Sequence, residues 1–166
     1  MKSYKIIDNV LPESELENLK ELINTNGVPF YFNKSLNGNH IKENNMFYMT
    51  HLLYNWDNNC PSYSTFFDAY RIILDKLEVK SLIRMKINLY PSTSIRETHP
   101  QHYDYSYKHK GCIFSLNTCD GATILEDGTE IESVANRALL FNPQKPHSST
   151  STTNVKARLN VNINYF

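Results

Sequence analysis

Residues 84–90 read RMKINLY, a stretch in which polar and apolar side chains alternate one by one. Side chains of a β-strand point to opposite faces in turn, so such a stretch has one polar and one apolar face. The sequence ARLNVNINYF at 157–166 repeats the pattern, with asparagine at alternate positions. Both stretches are therefore predicted to be β-strands with faces of opposite character.

The polar faces of these two strands can lie in one of two places. An antiparallel sheet commonly exposes one face to water, and the polar side chains would then form an outer surface. Alternatively, the polar faces line a water-filled cavity inside the protein. The metal-binding pattern described below favours the cavity.

The period of two begins near Leu82 and continues to the end of the sequence, which predicts a run of strands in the C-terminal half. Asp127-Gly128, between two of these strands, is typical of a tight hairpin turn. The predicted strands are Ser81–Tyr90, Gly111–Thr118, Ala122–Glu126, Thr129–Val134, Ala138–Asn142 and Ala157–Phe166.

The first helix is predicted to follow a short strand at Tyr4–Ile7. Pro12 suits the first turn of a helix, where its missing N–H has no intrahelical partner to lose. Leucine and isoleucine residues then recur at helical spacing, and Asn26-Gly27 is expected to end the segment.

A second helix is predicted over the apolar residues that repeat at intervals of three and four between Phe66 and Leu77. Ser62 or Ser64 would cap its first turn. Residues 29–60 are rich in asparagine and aromatic side chains and carry no clear period, so they are not assigned to an element.

Two helices followed by six or more short strands predict an α+β protein. The expected fold is a double-stranded β-helix (jelly roll) with N-terminal supporting helices. The length of 166 residues fits one domain, and no internal repeat or linker interrupts it. We therefore expect a single domain over residues 1–166.

Charge and cysteine content argue against several classes of protein. Lys+Arg and Asp+Glu number 17 each, and this zero net charge gives no support to a nucleic-acid partner. The three cysteines lack CxxC spacing and indicate reduced thiols of a cytosolic protein. No stretch reaches the length of a membrane span or a signal peptide. The sequence thus predicts a cytoplasmic protein with no membrane partner, and it leaves the oligomeric state open.

Three residues have the character of a metal site. Two histidines and one carboxylate on one face of an octahedron hold Fe(II) in non-haem oxygenases, with three positions left open for co-substrate and O₂. His102 and Asp104 form an HxD pair, and such a pair alone arises often by chance. The positions of two further residues strengthen the interpretation of this pair as metal ligands. His147 follows a run of four predicted strands, and Arg158 lies eleven residues beyond His147.

The region 82–166 resembles the 2-oxoglutarate/Fe(II) dioxygenase superfamily, notably its prolyl-hydroxylase-like branch and small phage-encoded members. NLYPSTSIRETHPQHYD at 88–104 is similar to the family's approach to its HxD pair. GATILEDGTEIESVANRALLFNPQKPH at 121–147 is similar to its central hairpin, penultimate core strand and distal histidine, and KARLNVNINYF at 156–166 to its closing strand. IIDNVLPESELENLKELI at 6–23 resembles the family's first strand and helix.

The resemblance implies a role for each matching residue. His102, Asp104 and His147 would be the ligands of Fe(II). Arg158 would pair with the distal carboxylate of 2-oxoglutarate through two parallel hydrogen bonds, and Tyr90 would donate its hydroxyl to the same carboxylate. A further implied contact to this co-substrate comes from two amides, Asn88 and Asn160. No protein acid or base is implied, since the cofactor supplies the chemistry.

The activity implied by the resemblance is hydroxylation of a C–H bond, with O₂ and 2-oxoglutarate consumed and succinate and CO₂ released. The substrate would be a peptide, with proline as the first expectation, or a small molecule. The sequence lacks a glycine that the family often has after Tyr90, and it has Arg158 where the prolyl-hydroxylase-like branch often has lysine. Both departures weaken the expectation that proline is the substrate. If the protein is phage-encoded, as the resemblance implies, it would act in the host cytoplasm.

Two other classes of function remain open. The chain could be a catalytically silent jelly-roll binding module, or a cupin-like metal enzyme that does not use 2-oxoglutarate. A silent module has no need of all three ligands together with Arg158, and a cupin-like enzyme has no need of a buried cation on the last strand. Arg158 is therefore the residue that separates these alternatives.

The remaining histidines and three tyrosines near the HxD pair are further candidates for the same site. His99 and His109 flank the HxD pair and are expected to be partly exposed loop residues without a metal role. His40 and His51 are expected to be structural. Tyr103, Tyr105 and Tyr107 either line the mouth of the site or form an outward aromatic stripe.

Overall fold

The computed structural model describes residues 3–25, 27–33, 35–36, 39–40, 47–57 and 60–166. These residues form two α-helices, α1 (Glu13–Asn24) and α2 (Phe67–Lys76). The strands are β1 (Tyr4–Ile7), β2 (Tyr31–Asn33), β3 (Ser35–Leu36), β4 (Asn39–His40), β5 (Tyr48–Asp57), β6 (Cys60–Tyr63), β7 (Leu82–Pro91), β8 (Lys110–Ser115), β9 (Cys119–Ile124), β10 (Glu130–Ser133), β11 (Arg137–Phe141), β12 (Ser148–Ser149) and β13 (Ala157–Tyr165).

Both helices form where the sequence repeats apolar residues at helical spacing, and both bury that side. Leu16 and Leu19 of α1 are buried, as are Tyr70, Ile73 and Leu74 of α2. Acidic residues occupy the first turn of each helix, where the helix dipole favours negative charge. Among the described residues, neither helix is long and apolar enough to cross a membrane.

The helix ends differ in detail from the predictions. Helix α1 ends at Asn24, and Asn26, the expected end, lies outside the described residues. Ser62 is not a cap of α2, because it pairs with Asn55 in an antiparallel strand pair. Ser64 is not the cap residue either, since the N-cap of α2 is Phe66 and no side chain caps the helix. The Ser64 hydroxyl accepts the N–H of Phe66 at 3.2 Å in the turn before the helix.

The described strands form two facing sheets and a small pair, β3 with β4. The large sheet has the order β1-β11-β8-β13-β7-β5-β2, with β6 beside β5, and the small sheet has the order β10-β9-β12. All strand pairs within these sheets are antiparallel. This arrangement confirms the predicted α+β jelly roll with N-terminal supporting helices.

The predicted strands are present, and their ends differ from the predicted ones by at most three residues. Residues 29–60, which carried no clear period, contribute β2, β5 and β6 to the edge of the large sheet. Strand β5 was missed because its side chains do not alternate strictly and because a register shift interrupts its pairing with β7 between Leu52 and Tyr54. The Asp127-Gly128 turn is confirmed, since Gly128 has φ +82° and its N–H reaches the Leu125 carbonyl at 3.0 Å.

Strands β7 and β13 lie side by side at the centre of the large sheet and are buried on both faces. Their apolar side chains, including Met85, Ile87, Val161 and Ile163, pack with α1 and α2 in the main core. Their polar side chains lie on the opposite face, within the roll, where Asn88, Asn160, Asn162 and Asn164 are all buried. The structure therefore confirms the cavity and excludes the solvated outer surface.

Asn136 connects the start of α1 to the roll. Its amide accepts the N–H of Leu11 at 2.8 Å and donates to the Leu11 carbonyl at 2.7 Å, and it is buried. Its backbone has φ +65°, in the left-handed region that asparagine tolerates better than most residues. Both polar groups of Leu11 therefore depend on this one side chain.

We predict that Asn136→Ala lowers the free energy of unfolding by about 2–5 kcal/mol, because it strands two buried backbone groups and keeps the unfavourable φ. Asn136→Gly should lose about 1 kcal/mol less, since glycine adopts this φ freely. Asn9 is the matched control, since it is exposed and has φ +54°. Urea unfolding measures all three, and equal losses in Asn136→Ala and Asn9→Ala would contradict the assignment.

Candidate metal centre

His102 and His147 are brought together by their backbones. The N–H of His102 donates to the His147 carbonyl at 2.9 Å, and the N–H of His147 donates to the His102 carbonyl at 2.8 Å. This isolated antiparallel bridge joins the loop before β8 to the segment before β12. The ring centroids are 4.4 Å apart as a result.

Asp104 is held by three contacts that orient its carboxylate. Its N–H donates to the Pro143 carbonyl at 3.0 Å. Its Oδ1 accepts a hydrogen bond from Arg84 at 3.2 Å, and its Oδ2 accepts one from Asn164 at 2.7 Å. Burial alone would raise the pKa of Asp104, but the positive charge of Arg84 and the other contacts outweigh it and lower the pKa to about 2. The group is therefore a carboxylate at neutral pH.

The two imidazoles are also prepared to act as ligands. Nδ1 of His147 lies 3.0 Å from the Lys145 carbonyl and donates to it, which leaves Nε2 as the ring nitrogen available to a metal. Burial lowers the pKa of His102 to about 4, and His147 adds to the effect, so His102 is neutral at pH 7. Neutral imidazoles and an ionised carboxylate are the forms that bind metals.

One potential ligand atom from each of His102, Asp104 and His147 lies within 4.8 Å of the others. Nε2 of His102 is 4.0 Å from Oδ1 of Asp104. In the described part of the chain this is the one group of three or more such side chains close enough to share an ion. Two nitrogen donors and one oxygen donor suit a divalent transition metal. The structure thus brings together the three residues that the sequence singled out.

A polar cavity extends from these three residues into the roll. Its lining combines side chains of β7 and β13 with residues of the small sheet. The lining residues are Tyr48, Lys86, Asn88, Tyr90, His102, Asp104, Ile113, Thr123, His147, Ser149 and Asn162.

Arg158 lies beside this cavity, behind Tyr90 and Thr123. It is only 1% exposed, although its guanidinium is a full charge. Its Nη2 donates to the Thr123 hydroxyl at 2.9 Å and its Nη1 to the Thr150 carbonyl at 3.4 Å, and none of the carboxylates in the described residues pairs with it. Gly121 makes room for its stem, since a Cβ there would lie 2.7 Å from Arg158 Cδ.

Of three further predicted residues, Tyr90 and Asn88 line the cavity, and Asn160 lies behind Asn88. Tyr90 is the register partner of Arg158, and its ring lies against the guanidinium at 5.4 Å from the centroid. Its hydroxyl accepts a hydrogen bond from Ser149 at 3.2 Å. The side-chain amide of Asn88 donates to the side-chain oxygen Oδ1 of Asn160 at 3.0 Å. Of these two amides, only Asn88 faces the cavity directly.

The prediction for His99 and His109 was wrong in one respect, since both are buried. The backbone N–H of His99 donates to the Ser149 carbonyl at 2.9 Å, which holds the loop between β7 and β8 against the small sheet. The imidazole ring of His99 lies edge-on to the ring of Tyr90. His109 packs under the rings of Tyr105 and Tyr107. Neither joins the metal group in the described residues. The error arose because loop residues of a roll can fold back over its open end.

His51 has the structural role that was expected of it, whereas Tyr103, Tyr105 and Tyr107 differ among themselves in exposure. His51 is buried between the Pro29 carbonyl at 2.8 Å and the Ser64 hydroxyl at 3.0 Å, which is a structural role. The side chain of His40 lies outside the described residues. Tyr103 and Tyr107 are exposed, whereas Tyr105 is half-buried with Arg84 over its ring at 5.1 Å. The three tyrosines are therefore not a uniform stripe.

Sequence reasoning missed Arg84, Asn164 and Lys86 as members of the site. All three belong to the polar faces of β7 and β13, and this alternation was the available signal. What the alternation could not supply is the register, which places Arg84 opposite Asn164. That pairing creates the contact of both side chains with Asp104.

No family model matches the sequence, and no curated protein sequence matches it. Solved structures do. A prolyl hydroxylase from Trichoplax adhaerens, in complex with a hypoxia inducible factor peptide fragment, is 14% identical, with a TM-score of 0.67 over 99% of this chain and 83% of that one. The viral collagen prolyl hydroxylase vCPH from Paramecium Bursaria Chlorella virus-1 is 12% identical, with a TM-score of 0.63 over 99% and 97%.

A prolyl-4-hydroxylase from Pseudomonas putida is 12% identical, with a TM-score of 0.61 over 98% of this chain and 92% of that one. At such identities the likeness shows a shared fold. The chain therefore has the fold of 2-oxoglutarate/Fe(II) oxygenases, which confirms the resemblance at that level.

We predict that the metal-free protein loses stability as the pH falls from about 6.5 to 4. Burial lowers the pKa of His99 to about 4 from its ordinary 6.5, with repulsion from Arg158 adding to the shift. The unfolded chain therefore takes up a proton in this window while the folded chain does not, and His99 alone contributes on the order of 3 kcal/mol to the loss.

Urea unfolding in EDTA at pH 7 and pH 4 measures this dependence. His99→Gln should show a smaller loss than the original protein, because glutamine does not titrate. Parallel losses in the two proteins would contradict the prediction.

Proposed function

We propose that this chain is an Fe(II)- and 2-oxoglutarate-dependent oxygenase that hydroxylates a C–H bond of a peptidyl or small-molecule substrate. One observation carries the proposal: a His–carboxylate–His group adjoins the same cavity as a buried guanidinium that has no carboxylate partner among the described residues. The first suits a divalent metal, and the second suits a dicarboxylate that reaches inward from that metal.

His102, Asp104 and His147 would hold Fe(II). Their donor set fits this ion, and hydrogen bonds orient the side chains of Asp104 and His147, which raises affinity by reducing the cost of ordering these ligands. Arg84 and Asn164 would keep the Asp104 carboxylate in place. They act as positioning residues.

Arg158 would bind the distal carboxylate of 2-oxoglutarate. A buried cation without an anionic partner is costly by several kcal/mol, and a carboxylate beside it would offset that cost. Tyr90 would donate its hydroxyl to the same carboxylate. Asn88 would contact the chain of the co-substrate, and Asn160 would hold the Asn88 amide through their hydrogen bond. A crystal structure of HygX from Streptomyces hygroscopicus that contains nickel and 2-oxoglutarate has the same fold, with a TM-score of 0.61 at 10% identity.

The chemistry that a bound Fe(II) would supply with O₂ is oxidative decarboxylation of 2-oxoglutarate to succinate and CO₂, with one oxygen atom entering succinate and the other inserted into a substrate C–H bond. The protein's residues bind, orient and exclude water, and we assign no acid or base. Burial of the cavity walls serves this purpose, because a dry site protects the reacting groups from water.

The substrate class is supported by two neighbours of the same fold. The Trichoplax enzyme is bound to a peptide fragment, and one HygX structure contains hygromycin B, a small molecule. We propose that residues 1–166 act as one domain on a substrate of either kind. The silent-module and cupin-like alternatives are less consistent with Arg158, whose buried charge has no evident use without a dicarboxylate.

We predict that the protein binds Fe(II) without oxygen and converts 2-oxoglutarate slowly to succinate in air, and that EDTA abolishes the conversion. Asp104→Ala should weaken Fe(II) binding by 10-fold or more, on the order of the 10–100-fold typical of changes around a metal site, because it removes the anionic ligand. Calorimetry under anaerobic conditions and succinate quantification provide the measurements. Asp68→Ala, which removes an exposed carboxylate on α2, is the control. Unchanged affinity in Asp104→Ala would refute the metal assignment.

We also predict that Arg158→Ala weakens 2-oxoglutarate binding by about 2–5 kcal/mol, the range for a desolvated charge pair. Arg158→Lys should weaken it roughly tenfold, because the charge remains but the two-pronged geometry is lost. Gly121→Ala should weaken it as well, by displacing the Arg158 stem. Titration of 2-oxoglutarate into the Fe(II)-loaded variants is the measurement, with Arg71→Ala on α2 as the control. If Arg158→Ala bound 2-oxoglutarate as tightly as the original protein does, Arg158 would not be the residue that binds the distal carboxylate.

A further inference from the structure

We propose that Lys86 is a specificity-determining residue that binds a carboxylate on the primary substrate. The substrate class of the site would then be an anionic molecule or an acidic peptide side chain. This inference rests on the function proposed above and adds the chemical identity of the group to be recognised.

Lys86 lies in the wall of the cavity that contains His102 and Asp104. It is on the polar face of β7, two residues from Arg84, and its register partner on β13 is Asn162. Its ammonium lies 5.7 Å from the centroid of the Tyr48 ring. Tyr48 belongs to β5 and stacks on Tyr90 with the ring centroids 5.5 Å apart, so the Lys86 side chain extends along β7 toward this pair of rings.

The ammonium has no anionic partner within the described parts of the chain. None of the salt bridges found there includes Lys86. Burial lowers its pKa to about 8, and repulsion from Arg84 exceeds the attraction of Asp104. Lys86 is therefore still mostly charged at pH 7 but poorly solvated, and a carboxylate beside it would be stabilising.

The proposed co-substrate does not compensate this charge. Its distal carboxylate would pair with Arg158, the register partner of Tyr90, and this cation would compensate it. The other carboxylate of 2-oxoglutarate would face the divalent metal, and Asp104 is already paired with Arg84.

Asn162 gives the same part of the cavity a second unpaired group. Its Oδ1 is buried and has no hydrogen-bond partner among the described residues. A ligand with a carboxylate for Lys86 and an N–H or O–H for Asn162 would satisfy both side chains. One ammonium matches one carboxylate, whereas a phosphate dianion would require a second cation there.

The experiment compares acids with their amides as ligands of the protein loaded anaerobically with Fe(II) and 2-oxoglutarate. The probes are the N-acetyl methylamides of aspartate against asparagine and of glutamate against glutamine, with that of proline as the neutral reference. Affinity is measured by calorimetry. We expect the acids to bind about tenfold more tightly than the amides, since hydrogen bonds to a charged group are stronger by about 1.4 kcal/mol.

Lys86→Met should remove the preference for the acid, and Lys86→Arg should retain it. Lys110→Met is the matched control, because Lys110 has a similar ring contact of 5.6 Å with Tyr165 but lies outside the cavity. Urea unfolding verifies that each variant is folded.

Equal affinity for acid and amide in the original protein, or a preference that persists in Lys86→Met, would overturn the inference. A loss of 2-oxoglutarate affinity in Lys86→Met would also overturn it, since Lys86 would then belong to the co-substrate site. If the original protein binds neither Fe(II) nor 2-oxoglutarate, the proposed function itself fails, and this outcome is distinct from the others.

Discussion

Strands β7 and β13 pair along their length, Leu82 to Pro91 against Ala157 to Tyr165, and this register determines where the polar side chains lie. Because strand side chains alternate, a shift of one residue would turn every polar group toward the helices and every apolar group into the cavity. The apolar faces fit against α1 and α2, so the hydrophobic effect selects the observed register. The site therefore inherits its position from the packing of the main core.

A polar interior is costly, and the molecule offsets the cost by pairing where it can. Asp104 is compensated by Arg84 and Asn164, and Asn88 by Asn160. Arg158 and Lys86 are only partly compensated, by neutral oxygens and by an aromatic ring respectively. These two cations mark where the interior is arranged for ligands more than for stability, because a charge that lacks an anionic partner destabilises the free protein.

The candidate site was predictable to the extent that it depends on residue type and order along the chain. His102 and Asp104 share a side because they are two residues apart, and His147 stood out because a histidine follows the last hairpin and core strand. Arg84 was not predictable as a partner of Asp104, because their contact depends on a loop that folds back over the sheet. The burial of His99 and His109 depends on the same loop.

The fold class, most strands and the grouping of His102, Asp104 and His147 could be predicted from the sequence, because alternation, helical spacing and the chemistry of side chains indicate them. The strand register, the backbone bridge that joins His102 to His147, and the location of Lys86 in the cavity become visible in the folded chain alone. The physical reason is that local patterns set which face a side chain points to. Which faces meet is set by long-range packing, and single positions along the chain carry little of that information.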